Sequence, residues 1–256
     1  MTLLVEAPAG RHFAQFHRDT EALTESAFVF LEAGLRHGHS LLVIAPAYRV
    51  EQLFDRLSTG KFHPKSLLDS GQLAVMDSTK VIDQLVAPGE NEWARFRGLL
   101  GPVLSRLRPY GRRTRIYGEI ANALWQAGET EAAVRLEDLW NALAGAYSFS
   151  LFCGYTMDTH SEQSYTGPLE ELGRTHSDIL GTQDDERFGD ALDRASKELF
   201  GISLTQMAGV ARLDGTRRFP SGQRTMLWVK RNLPTSTTRL VDRARHYFQS
   251  GDHGRA

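Results

Sequence analysis

Between His12 and Tyr155 short apolar runs alternate with longer segments of helical period, and this alternation limits the fold more than any other feature. Ser40 to Ala45 reads SLLVIA and is closed by Pro46. A run with no polar face suits a strand covered on both sides, as crossover helices cover a parallel sheet. His12-Phe13-Ala14-Gln15-Phe16 alternates as a short first strand, and Gln72 to Met76, Arg113 to Tyr117 and Tyr147 to Cys153 read as three more. Leu23, Ala27, Phe30, Leu31 and Leu35 fall on one helical face, with Asp19 or Thr20 as cap and Gly38 as the left-handed stop. Val50, Leu53, Phe54 and Leu57 make a second stripe, and Trp93, Phe96, Leu100, Val103 and Leu107 a third. Two further helices part at Gly128, the second burying Ala133, Leu136, Trp140 and Leu143. Strands and helices taken in turn predict an α/β fold, three layers deep, around a mainly parallel sheet of five or more strands.

Past Tyr155 the composition becomes polar, over Asp158 to Gln163 and Thr175 to Arg187. This predicts a domain over residues 10–160, a linker over 161–185 and a basic, mostly helical C-terminal region over 186–256. In that region Phe188, Ala191, Leu192, Ala195 and Leu199 form one amphipathic stripe. Thr225 to Val229 has strand character, and Thr237 to Phe248 reads as a last helix capped by Thr235 or Ser236. From Ala211 onward arginines and lysines outnumber Asp214, Asp242 and Asp252. Arg217, Arg218, Lys230 and Arg231 could meet nucleic acid phosphates or an acidic partner, with Trp228, Tyr247 and Phe248 to stack on bases. The competing reading is a solvated surface, or arginines that answer acids elsewhere in the chain.

Several chemistries are excluded by what the chain lacks. Of 256 residues 41% are hydrophobic, enough for a core, and a formal net charge of −1 gives no global attraction to nucleic acid or anionic membrane. Cys153 is the only cysteine, so there is no disulfide framework and no CxxC pair; at a strand end it reads as a buried structural residue. No basic region followed by an apolar run opens the chain, and no apolar run approaches the ~20 residues that span a bilayer. The expectation is a cytoplasmic protein without a membrane partner. No GxxxxGK followed by Ser or Thr occurs, and the turn after the first strand is His17-Arg18-Asp19-Thr20, whose acid would repel phosphate. There is no GxGxxG and no GxSxG. His37 and His39 have no third ligand at metal spacing, so neither a metal nor another cofactor is expected, and no catalytic set is evident.

An ordered series of short motifs carries a family resemblance. His12-Phe13-Ala14-Gln15-Phe16 resembles the opening H-x-x-Q-F-Y of the MEDS domain, the methanogen/methylotroph sensory domain of bacterial and archaeal regulators. Gly34-Leu35 with Gly38, Val43-Ile44-Ala45, Gly71 with Leu73 and Asp77, and Gly118-Glu119 follow in order. Then come Leu124-Trp125 with Gly128, Leu136-Glu137 with Leu139-Trp140-Asn141, and Cys153 with Tyr155. The resemblance covers roughly residues 10–156 and departs at His17, where the family usually has Tyr, and at Gly154, where Ala is common. It implies a RecA-like core that has lost its phosphate loop and senses small molecules, hydrocarbon derivatives among them, in signal transduction.

The groups at strand ends suggest where a ligand would bind, since open parallel sheets hold ligands beyond the carboxyl ends of their strands. His12, Gln15, Phe16, His17, Glu119, Trp125 and Tyr155 are the candidate ligand residues. Gln15, Glu119 and Tyr155 are expected to share a cleft, and Glu119 is the most suggestive of them. Trp140 shares the stripe of Leu136 and Leu143 and reads as core. Glu137 and Asn141, four apart on one helical face, are expected to orient the fold by bonding to His12 or a strand end. Asp77 is read as the cap of the helix near Thr79. The function expected is non-enzymatic: a sensor that binds a small molecule and relays this to a signalling partner, to a second copy or to the C-terminal region. The alternatives are a transcriptional regulator that binds DNA through the basic region, and a degenerate nucleotide-binding protein with magnesium on Glu119 and Asp77.

Overall fold

The structure, a computed structural model, describes residues 2–86, 91–107, 112–165, 169–204 and 219–250. The chain forms two compact units, the first of residues 1–14 and 19–156, the second of residues 15–18 and 157–256. In chain order the first contains α1 (Thr2–Glu6), the start of β1 (His12–His17), α2 (Thr20–Arg36), β2 (Ser40–Ala45), α3 (Ala47–Thr59) and α4 (Pro64–Asp69). It continues through β3 (Leu73–Asp77), α5 (Ser78–Val86), α6 (Glu92–Leu107), β4 (Thr114–Gly118), α7 (Ile120–Gln126), α8 (Thr130–Ala146) and β5 (Phe149–Thr156). The second unit takes the end of β1 and adds α9 (Leu169–Thr175), β6 (Asp178–Leu180), α10 (Gln183–Phe200), α11 (Ser221–Asn232) and α12 (Thr237–Ser250).

The six strands form one parallel sheet in the order β3-β2-β4-β5-β1-β6. The SLLVIA strand β2 is buried along its whole length between β3 and β4, with Leu41 opposite Leu73 and Arg115. On β5 the alternation of side chains assigns the layers of the first unit. Phe152 meets Phe30 of α2 at 5.6 Å between ring centroids, and Gly154 lies against Leu23 of the same helix. One residue out of phase, Phe149 meets Trp140 of α8 at 6.0 Å, and Phe96 of α6 stands edge-on to that tryptophan at 4.9 Å. Helix α2 therefore covers one face and α8, with α6 beside it, the other, which is a three-layer α/β arrangement.

Local signals explain the helix ends. Asp19 accepts the backbone N–H of Ala22 at 2.7 Å and caps α2, and Gly38 ends it at φ 70°. Asp77 accepts from the N–H groups of Thr79 and Lys80 and so caps the first turn of α5. Arg115 runs beneath α2 and donates to the carbonyls of Leu4, Val5 and Phe30; at Gly34 a Cβ would come within 2.8 Å of its Cδ.

In the second unit the stretch read as a polar linker, 161–185, contains a 3-10 turn at Glu162–Tyr165, α9 and β6. Tyr165, Leu169, Leu172 and Ile179 are buried there, and so is Asp185, which accepts from Thr182 and Gln223; runs of buried residues this short do not stand out in a polar sequence. Thr225 to Val229, read for strand character, lies inside α11: Thr225 and Val229 are four apart and both buried, so packing overrides β-propensity. The last helix is α12, and Leu240 donates its N–H to the Ser236 carbonyl at its start. Among the described residues no helix is long and apolar enough to cross a membrane.

Candidate functional site

Glu119 follows β4 directly, its N–H bonded to the Ile44 carbonyl at 2.9 Å, and this places its side chain inside the first unit at 2% exposure. There it accepts from Arg49 Nε at 2.9 Å and from the Tyr117 hydroxyl at 2.8 Å. Arg49, from α3, is 1% exposed and donates through Nη1 to the Thr20 carbonyl, Gln52 Oε1 and Thr24 Oγ1. Burial pushes the Glu119 carboxyl above its usual range while Arg49 pulls it back, and burial followed by the charge of Glu119 drives the Tyr117 phenol far up. The strand-end carboxylate is thus half of a buried ion pair.

Arg49 was not among the residues singled out from the sequence, although a signal existed. It stands in phase with Leu53 and Leu57, the buried positions of α3, where an unpaired charge would be prohibitive.

A second polar cluster lies on the α8 side of the sheet. His12 of β1 and Cys153 of β5 come from neighbouring strands, and Glu137 and Asn141 reach them from consecutive turns of α8. Asn141 Oδ1 is 3.0 Å from His12 Nδ1. His12 Nε2 is 3.1 Å from Glu137 Oε2 and 3.3 Å from Cys153 Sγ, and the thiol is 3.5 Å from the same carboxylate oxygen. The Tyr155 hydroxyl donates to Glu137 Oε1. Burial, then Glu137, raises the Cys153 thiol and the Tyr155 phenol well above their ordinary values.

The residues predicted to share one cleft are distributed over several environments. Glu119 and Tyr155 belong to the two separate clusters just described, and Trp125 stands edge-on to Tyr155 at 6.5 Å. Gln15, Phe16 and His17 belong to the second unit. Gln15 donates to the Gly181 carbonyl at 3.3 Å, Phe16 stacks on Phe219, and the buried His17 accepts the N–H of Met157 at its carbonyl. Among the basic residues, Lys230 donates to the Glu162 carbonyl and Arg231 holds both oxygens of Glu170, while Arg217 and Arg218 lie outside the described residues. His37 Nδ1 is 2.7 Å from the Ala33 carbonyl and His39 accepts from Arg115 Nε, so each ring is engaged separately.

The first unit also has a cavity of about 540 Å³ among α5, α6, α7 and α8. Ile82, Leu85, Leu124, Leu136 and Leu139 give it apolar walls, and Arg95, Arg135, Glu92 and Glu129 contribute charge. Arg95 Nε and Nη1 are buried with no hydrogen-bond partner among the described residues. None of the residues chosen from the sequence lines this cavity.

The family model of the methanogen/methylotroph, DcmR sensory domain, abbreviated MEDS, matches residues 11–177. The chain belongs to the MEDS family. No curated protein is similar enough in sequence to match it. The MEDS region takes in both buried clusters and the whole cavity, and it runs past β5 to the residue before β6. Its family description gives the chain a sensory role.

Proposed function

We propose that this MEDS domain is a non-enzymatic, cytoplasmic sensor that binds a small, largely apolar molecule with a polar end. The cavity among α5 to α8 carries the reading: its volume falls in the range of small-molecule sites, with apolar walls and a few charged groups. Arg95 Nε and Nη1, without a partner among the described residues, favour a ligand that brings a hydrogen-bond acceptor, such as a carboxylate on a short hydrocarbon chain. A sensory rather than nucleotide-hydrolysing role is supported by Asp19, whose carboxylate occupies the N-terminus of α2, where a phosphate loop would place its anion. Ligand would bias contacts of the C-terminal region with a signalling partner or a second copy of the chain.

Thermal unfolding in the presence of hexanoate and hexanol tests the reading. Both are expected to raise the unfolding midpoint, hexanoate more strongly. Ala132→Phe, which fills the cavity from α8, should abolish both shifts, and Arg95→Met should reduce the hexanoate shift alone. Shifts that survive Ala132→Phe, or no shift with either compound, would overturn it. DNA binding by the basic region is the rival output, and retardation of duplex DNA that weakens steeply with salt would favour it instead.

A further inference from the structure

We propose that His12, Glu137 and Cys153 form a binding site for a divalent transition metal of the zinc class. The site is independent of the apolar cavity and of the ligand proposed for it. Its three donor atoms, His12 Nε2, Glu137 Oε2 and Cys153 Sγ, are separated by 3.1, 3.3 and 3.5 Å. Bonds of about 2.0–2.3 Å from zinc to nitrogen, oxygen and sulfur, set tetrahedrally, place such atoms about 3.4–3.6 Å apart. Small outward shifts therefore bring all three within bonding distance of one ion.

The groups around the donors orient them as a metal site requires. A metal-binding imidazole commonly donates its other N–H to an oxygen, and Asn141 Oδ1 stands 3.0 Å from His12 Nδ1, within reach of that N–H. In the metal-bound form the proton stays on Nδ1, and the lone pair of Nε2 faces the same point as the carboxylate oxygen and the sulfur. The Tyr155 hydroxyl holds Glu137 Oε1 and leaves Oε2 toward the other donors. His12, Glu137 and Cys153 are 6%, 0% and 2% exposed and sit on two adjacent strands and a long helix, so the arrangement is rigid. A nitrogen, oxygen and sulfur set favours zinc or cobalt over magnesium or calcium, whose ligands are oxygens. Binding forms the metal–sulfur bond as the thiol proton leaves to solvent, with no change of oxidation state. Three protein ligands leave a fourth position for water or another donor.

Cobalt titration of the full chain, purified without a metal-affinity tag and dialysed against chelator, tests the proposal. The expected result is a sulfur-to-cobalt charge-transfer band with the intense visible bands of a four-coordinate site, saturating at one metal per chain, reversed by zinc and unaffected by magnesium. Cys153→Ser should remove the charge-transfer band, and His12→Gln should weaken binding by about 10–100-fold or more. The wild-type spectrum decides the matter even where a variant fails to fold. A spectrum that stays that of aqueous cobalt, or a charge-transfer band that survives Cys153→Ser, would overturn the site. Neither outcome bears on the hexanoate shifts, so the two proposals fail separately.

Discussion

Glu119 shows how a single carboxylate changes meaning once its partner is known. At a strand exit it has the position of a reactive group, but Arg49, 70 residues away in sequence, encloses it in a buried pair. Breaking such a pair leaves one charge stranded in the interior and typically costs about 3–5 kcal/mol. Arg49→Met and Glu119→Gln are each expected to destabilise the protein on that scale in urea unfolding. The double variant should lose less than the sum of the two, and additive losses would refute the coupling. His160 makes a different residue-scale prediction. Its ring stacks on Phe188 at 3.9 Å, and burial, then the charge of Arg18, lowers its pKa to about 4. The unfolded chain therefore binds the proton more readily than the native state between pH 6.5 and about 4. This group's contribution to stability is intact above pH 6.5 and is lost as pH falls through that window, by about 1.4 kcal/mol per unit of separation. His160→Phe keeps the stack and removes the titration, so its stability should fall less steeply over this interval.

At the scale of elements, glycines record where strands and helices approach each other most closely. A Cβ on Gly154 of β5 would lie 2.3 Å from Leu23 Cδ1, so this departure from the commoner alanine is filled by the side chains of α2 and by Tyr117. In the fold this departure is a packing choice. At the crossing of α10 and α11 a Cβ on Gly222 would lie 2.5 Å from the Asp185 carbonyl oxygen. Leu23 can rotate and a backbone carbonyl cannot. Gly154→Ala is expected to cost about 1–3 kcal/mol and Gly222→Ala more, measured by chemical unfolding. Equal effects would show that the α10–α11 crossing adjusts as easily as a leucine tip. Most elements of the first unit were legible because each has a local cause: the closed SLLVIA run, the Asp19 cap, the turn at Gly38. α9 and β6 were not, because only a few buried residues in each interrupt a polar stretch.

For the molecule as a whole, sensing requires that occupancy of the first unit change something in the second. Hydrogen exchange with and without hexanoate measures this directly. Increased protection over α5 to α8 is expected from binding, and altered exchange in α10 to α12 from relay. Changes confined to α5 to α8 would leave a binding module without an output in this chain. The basic surface of the second unit is partly answered within it, by Arg231 on Glu170, Arg243 on Glu198 and Arg245 on Asp158. The surplus of arginines in the sequence therefore overstates the field available to a partner.

The sequence alone determined the α/β class, the strands of the first unit and the family, because period, caps and turns act within a few residues and leave their trace there. The helical face of Glu137 and Asn141 toward His12 was also legible, since four-residue spacing holds wherever a helix forms. The ion pair of Arg49 with Glu119, the convergence of His12 and Cys153 on Glu137, and the cavity among four helices were decided by tertiary structure. Each joins groups from distant parts of the chain, His12 and Asn141 being 129 residues apart. No local propensity encodes such a meeting; the packing of layers on the sheet creates it.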